Sequence, residues 1–163
     1  MVTIELETFI AAPAERVFDL SRSVDLHVRA SGDTSEEAVG GRTSGLLELG
    51  DTVTWRARHF GIRQHLTSRI TGYDRPHWFR DEMVRGPFAS LAHDHWFDAE
   101  DGGTRMHDRF VFAAPLGPLG VFAERLFLRR YMTRLLQARN AALACIAESD
   151  EWRGVLRRGM SEA

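Results

Sequence analysis

The sequence of 163 residues contains one cysteine, Cys145. A single thiol excludes an internal disulfide framework and fits a reducing compartment. No apolar run approaches the roughly 20 residues that a helix needs to cross a bilayer. The opening Met1-Val2-Thr3-Ile4-Glu5-Leu6-Glu7 lacks the basic and apolar regions of a secretory signal. A surplus of one charge is also missing, since 21 basic and 23 acidic side chains leave a formal net charge of -2. The basic footprint that nucleic acid or an anionic membrane demands is therefore absent. No Gly-x-Ser-x-Gly elbow occurs, and no Gly-rich phosphate loop stands between a strand and a helix, so hydrolase and nucleotide chemistries lack an anchor. The expectation is a cytoplasmic protein with no nucleic-acid partner and no membrane span. Nothing in the sequence selects between a monomer and a homodimer.

What the chain does contain is a patterned face. Hydrophobic residues make up 44% and charged residues 27%, enough apolar material for one domain with a real core. Val2, Ile4, Leu6 and Ile10 alternate with polar residues and predict a first strand over residues 2–10. Pro13 suits a helix start, and Val17, Phe18 and Leu20 give that short helix an apolar side. A second short helix is predicted at Val24–Arg29, then a Gly-rich stretch with one strand near Glu36–Val39.

From Thr52 to Phe112 five segments alternate with period two, as half-buried antiparallel strands do. Val53, Trp55, Ala57 and His59 share the inner face, followed by Ile62, Gln64, Leu66, Ser68 and Ile70. Phe79, Asp81 and Met83 come next, then Leu91, His93, His95 and Phe97, and finally Met106, Asp108, Phe110 and Phe112. Phe60-Gly61, Asp74-Arg75-Pro76, Gly86-Pro87 and Asp101-Gly102 supply the turns. A two-residue turn at Asp101-Gly102 sets His95 opposite Asp108 and Phe97 opposite Met106. A three-residue turn at Gly86–Phe88 sets His93 opposite Asp81. Opposed Cβ atoms lie roughly 5 Å apart, so two carboxylate–imidazole pairs are expected on three adjacent strands. A long amphipathic helix follows from about Gly117 to Ala147, with Leu128, Tyr131, Met132, Leu135, Ala142, Leu143 and Ile146 on one stripe and Arg139 within it. Cys145 reads as a small buried hydrophobe of that helix.

The order of elements predicts an α+β fold, with a strongly twisted sheet curling around the final helix. If that helix stands off the sheet, a cavity remains. In this order, and in the opening Ile10-Ala11-Ala12-Pro13-Ala14-Glu15-Arg16-Val17-Phe18, the chain resembles the START-related superfamily that includes polyketide cyclases/dehydrases (SRPBCC) over residues 2–147. It is similar to a bacterial subgroup of ligand-binding SRPBCC-domain proteins. The residues that carry this likeness are Gly50–Gly61, Gly86-Pro87-Phe88, His93-Asp94-His95-Trp96-Phe97 and Pro115-Leu116-Gly117. The resemblance implies a helix-grip fold, a curved seven-stranded antiparallel sheet wrapped around a long C-terminal helix, with two short helices after strand one. It implies a single START-like domain over residues 1–148; the polar, charged and Gly-containing residues 149–163 predict a flexible tail, in which Trp152, Val155 and Leu156 could dock weakly. The superfamily spans lipid carriers, hormone receptors, aromatase/cyclases and chaperone co-factors, so the fold implies a cavity and no particular chemistry.

The inner face can be read in several ways. His93 and His95 point to one side of a strand, and Asp81 or Asp108 would complete a metal set. The simpler account is preferred: the imidazoles satisfy neighbouring carboxylates in a buried polar strip, and no metal or other cofactor is expected. Proton transfer in a cyclase or dehydrase is the sharper alternative, with His93, His95, Asp81 and Asp108 as the catalytic candidates. The leading reading is a binding protein for a small hydrophobic or aromatic molecule, lined by Trp55, His59, Gln64, Phe79, Met83, Phe97, Phe110, Phe112, Tyr131, Leu135 and Arg139. Arg139 either grips a ligand carboxylate, pairs with Asp81 or Asp108, or packs its stem while its head reaches water at the helix edge. A third reading makes either Trp78 and Trp96, on the outer face, or the tail at 149–163 a docking surface for another protein.

Overall fold

The computed structural model describes residues 1–31, 35–115 and 127–161, the last four of these by backbone alone. Strand β1 (Val2–Ile10) is followed by helices α1 (Ala14–Ser21) and α2 (Val24–Ala30). Six strands follow: β2 (Glu37–Gly41), β3 (Thr52–His59), β4 (Ile62–Asp74), β5 (Trp78–Arg85), β6 (Ser90–Glu100) and β7 (Gly103–Ala113). Helices α3 (Arg129–Glu148) and α4 (Trp152–Ser161) close the chain. The strands form one antiparallel sheet in the order β1-β7-β6-β5-β4-β3-β2. This is the curved, seven-stranded helix-grip arrangement that the sequence predicts.

Turn chemistry sets the register. At the β3–β4 hairpin Phe60 and Gly61 both take positive φ, 52° and 78°, and place His59 opposite Ile62. At β6–β7 the Asp101-Gly102 turn pairs Glu100 with Gly103, and hence His95 with Asp108 and Phe97 with Met106. Asp81 pairs with His93 across β5 and β6. Gly41 is required at the end of β2: its φ is +68°, and a Cβ there would meet the Thr52 carbonyl oxygen at 2.1 Å.

Two apolar clusters bound the space between sheet and helix. The first is built around Phe18 of α1, whose ring makes edge-to-face contacts with Tyr73, Phe79 and Phe97 at 5.3–5.5 Å between centroids. The second joins Ile4, Leu91, Phe110 and Phe112 to Leu136 of α3. The C-terminal end of α3 is tied to the β1–α1 junction. There Arg16 donates to the Ala147 carbonyl at 2.9 Å, and the Ala11 amide donates to Glu148 at 2.9 Å.

Several expectations need correction. The segment read as a flexible tail forms helix α4, because Val155 is buried in the first cluster and Trp152 packs under the Arg16 guanidinium. The buried stripe of α3 keeps the expected Leu143 and Ile146 but adds Leu136, Asn140 and Ala147, while Ala142 is only half-buried and Cys145 is exposed. Ile62, expected inside, is 64% exposed because the hairpin tip projects beyond the sheet. The expected helix start at Gly117 lies outside the described residues. Within the described residues, no helix is long and apolar enough to cross a membrane.

Candidate functional site

A cavity of about 530 Å³ opens between the inner face of the sheet and α3. This is the size of a pocket for a small organic molecule. Its walls are mostly aromatic and aliphatic, with Trp55 from β3, Phe79 from β5, Phe110 from β7, Phe88 from the β5–β6 turn, and Tyr131 and Leu135 from α3. Period-two alternation puts these side chains inside, because every second residue of each strand faces the helix. His59, Gln64, Arg139, Asp81, His93 and His95 also line the space.

Three expected lining residues and one catalytic candidate are not on the cavity wall. Phe97 is fully buried beneath Phe18, and Phe112 is fully buried in the second cluster. Met83 packs against that second cluster instead of facing the opening. Asp108 is 1% exposed and lies behind the imidazoles.

The polar strip has a definite order. The expected cross-strand pairs exist in the backbone register, but the hydrogen bonds run diagonally. His93 Nε2 donates to Asp108 Oδ1 at 3.0 Å. His95 Nδ1 lies 2.9 Å from that same oxygen, and its Nε2 donates to Asp81 Oδ2 at 3.3 Å. The second oxygen of Asp108 accepts from Asn140 Nδ2 at 2.7 Å, and Asn140 also reaches Thr8 Oγ1 at 3.1 Å. Burial opposes a charge on His95, but its contacts with Asp108 and Asp81 outweigh that and push its pKa up to about 9. Burial, reinforced by the neighbouring His95, holds His93 below its ordinary value. Burial alone would raise Asp108 and Asp81. The imidazoles reverse this and hold both carboxyls below the usual range.

A second polar group borders the same cavity, and of its members only Arg139 stood out in the sequence. His27 of α2 stacks on Trp55 with centroids 3.9 Å apart. Arg139 donates to His27 Nε2 at 3.0 Å and lies 3.5 Å from Glu36, which also accepts from Ser31 Oγ at 3.0 Å. Arg139 thus pairs with neither of the two carboxylates expected for it. Burial, then Arg139, lowers the pKa of His27. At the opposite rim His59 Nδ1 and the Tyr131 hydroxyl share a hydrogen bond of 2.7 Å. Glu36 gave no signal because it adjoins the Gly-rich stretch, where no periodicity assigns a face. Asn140 left a trace in the sequence: it is an amide at helical spacing from Leu136 and Leu143.

On the outer face, Trp78 and Trp96 oppose each other and both are half-buried. Trp78 donates its indole N–H to Asp94 at 3.1 Å, and Trp96 stacks on His107. Neighbouring strands therefore already occupy much of the surface that the docking reading required.

The family model for "Polyketide cyclase / dehydrase and lipid transport" matches residues 1–148. No curated protein matches the chain in sequence. Solved structures share its fold. The Zhui aromatase/cyclase from Streptomyces sp. R1128 is 19% identical, with a TM-score of 0.69 over 90% of this chain and 93% of that one. The di-domain ARO/CYC BexL of the BE-7585A biosynthetic pathway is 16% identical, with a TM-score of 0.73 over 91% of this chain and 50% of that one. The major latex-like protein 151 of Panax ginseng is 12% identical, with a TM-score of 0.67 over 91% of this chain and 98% of that one.

Proposed function

The chain belongs to the polyketide cyclase/dehydrase and lipid transport family, and on that footing we propose that it binds a small hydrophobic or aromatic molecule in the space between the sheet and α3. Residues 1–148 form the binding unit in this reading, and the site of action is the cytoplasm. The observation that carries it is the 530 Å³ cavity, walled by Trp55, Phe79, Phe88, Phe110 and Tyr131. Burial of a ligand's apolar surface supplies about 25 cal/mol per Å² before the costs of association. The His93/His95/Asp81 strip orients its polar end, as a few placed groups do in an apolar pocket. Native mass spectrometry against lipids, flavonoids and polyketides tests this directly. At least one compound class should bind at one per chain, and Ala57→Trp, which fills the space from β3, should abolish the adduct while preserving the circular dichroism spectrum. Equal binding by the filled variant would refute the reading.

One observation favours a second reading as a cyclase or dehydrase. His95 and Asp81 face the same cavity 3.3 Å apart, where a bound carbonyl compound would meet both. In that case His95→Ala loses turnover of a ketone or β-hydroxy substrate while still binding it. Binding with no turnover in the unmodified chain would leave only the carrier.

A further inference from the structure

We propose that Asp81, His93 and His95 form a binding site for one borderline divalent transition-metal ion, such as Zn²⁺ or Fe²⁺, at the cavity wall. One ligand atom from each of the three side chains lies within 4.8 Å of the others. Two ligands bound tetrahedrally at about 2.0–2.2 Å from one ion stand about 3.3–3.6 Å apart, so side-chain rotations that draw the widest pair in by at most about 1.5 Å close the set. Two imidazole nitrogens and one carboxylate oxygen form a donor set suited to such ions, and it leaves coordination positions free.

The groups around the three ligands fit this role. Metal-bound histidines characteristically donate their other ring N–H to a carboxylate, which fixes the tautomer and the ring's orientation. Asp108 provides that arrangement for both rings through one oxygen. It accepts from His93 Nε2 at 3.0 Å and stands 2.9 Å from His95 Nδ1. The nitrogens left over are His93 Nδ1 and His95 Nε2, and the latter faces Asp81 Oδ2. Asp108 is in turn held by Asn140 at 2.7 Å. The three proposed ligands line the cavity and Asp108 does not, so an inner row orients an outer one. The 3.3 Å contact of His95 with Asp81 is longer than either imidazole contact with Asp108, and this is where the ion would enter. A divalent charge also balances the two carboxylates of the cluster, so the ion would not be buried unpaired. The open positions face the ligand space, where an oxygen of a bound molecule would complete the shell.

The test uses the full chain, stripped with a chelator and titrated with Co²⁺ and then Zn²⁺. One Co²⁺ per chain should bind saturably and give visible ligand-field bands, and Zn²⁺ should displace it. Asp81→Asn should remove the one-per-chain site. Asp108→Asn, a positioning change, should weaken affinity about 10–100-fold and alter the Co²⁺ spectrum. His65→Gln, on the outer face, should change neither. In the unmodified protein Zn²⁺ should shift the imidazole resonances of His93 and His95 but not those of His65, a readout independent of whether the variants fold. Absence of saturable one-per-chain binding, or resonances of His93 and His95 that ignore Zn²⁺, would overturn the proposal. Neither result depends on whether an organic ligand also binds.

Discussion

Glu36 shows how much one side chain can carry at this site. It touches His27 at 3.1 Å, accepts from Ser31, and lies beside Arg139. Burial raises a carboxyl's pKa, but His27 and Arg139 outweigh it and lower Glu36 from 4.5 to about 2. The folded chain therefore binds fewer protons here than the unfolded one. The stabilisation is fully present above pH 4.5 and is lost as pH falls toward 2. Urea melts between pH 5 and pH 2 should show this acid limb, and Glu36→Gln should flatten it at the cost of lower stability at neutral pH. An acid limb of unchanged slope in the variant would exclude Glu36 as its source. The same residue marks a boundary of legibility. His93, His95, Asp81 and Asp108 were readable because alternation and turn length assign strand residues to a face. The choice of which imidazole bonds which carboxylate was not readable, because it depends on side-chain rotamers. Phe97 and Phe112 share a face with Phe110, yet only packing decides which of them borders a void.

Among elements, the helices depart from the sequence reading more than the strands do. A strand has two faces, and a tight hairpin fixes which is which, so Asp101-Gly102 sufficed to pair Glu100 with Gly103 and everything beyond. A helix can present any sector. On α3, Tyr131, Leu135, Leu136 and Arg139 border the cavity while Asn140 and Leu143 are buried beside them, a rotation set by the partner surface. Helix α4 is legible only in hindsight: Trp152, Val155 and Leu156 stand at helical spacing amid charge, and their value depends on a groove made by α1 and α2. Val155 is 4% exposed. Val155→Ala should therefore cost about 1–3 kcal/mol in chemical denaturation, from lost burial plus the residual void. A cost near zero would mean that α4 contributes no core.

At the level of the whole molecule, a hollow between two apolar clusters is stability left unused until something fills it. A ligand present at 100 times its Kd should stabilise the folded chain by about 2.7 kcal/mol. For a protein of this size that raises the midpoint of thermal unfolding by about 5–11 °C. Differential scanning calorimetry of the unmodified chain with the best-binding compound would measure this rise, and the cavity-filled Ala57→Trp variant should show none. The Asp108–Asn140 bond also governs how the layers meet. Its carboxylate comes from β7 and its amide from α3, both buried, and the half-buried Thr8 of β1 completes it. Were the rod to settle one turn higher or lower, the amide would slide away and an ionised oxygen would be stranded in the interior, costing at least about 1–3 kcal/mol. Oily contacts alone tolerate such sliding, but this bond acts as a keyway that admits one seating of the rod, and so one shape for the hollow beneath it.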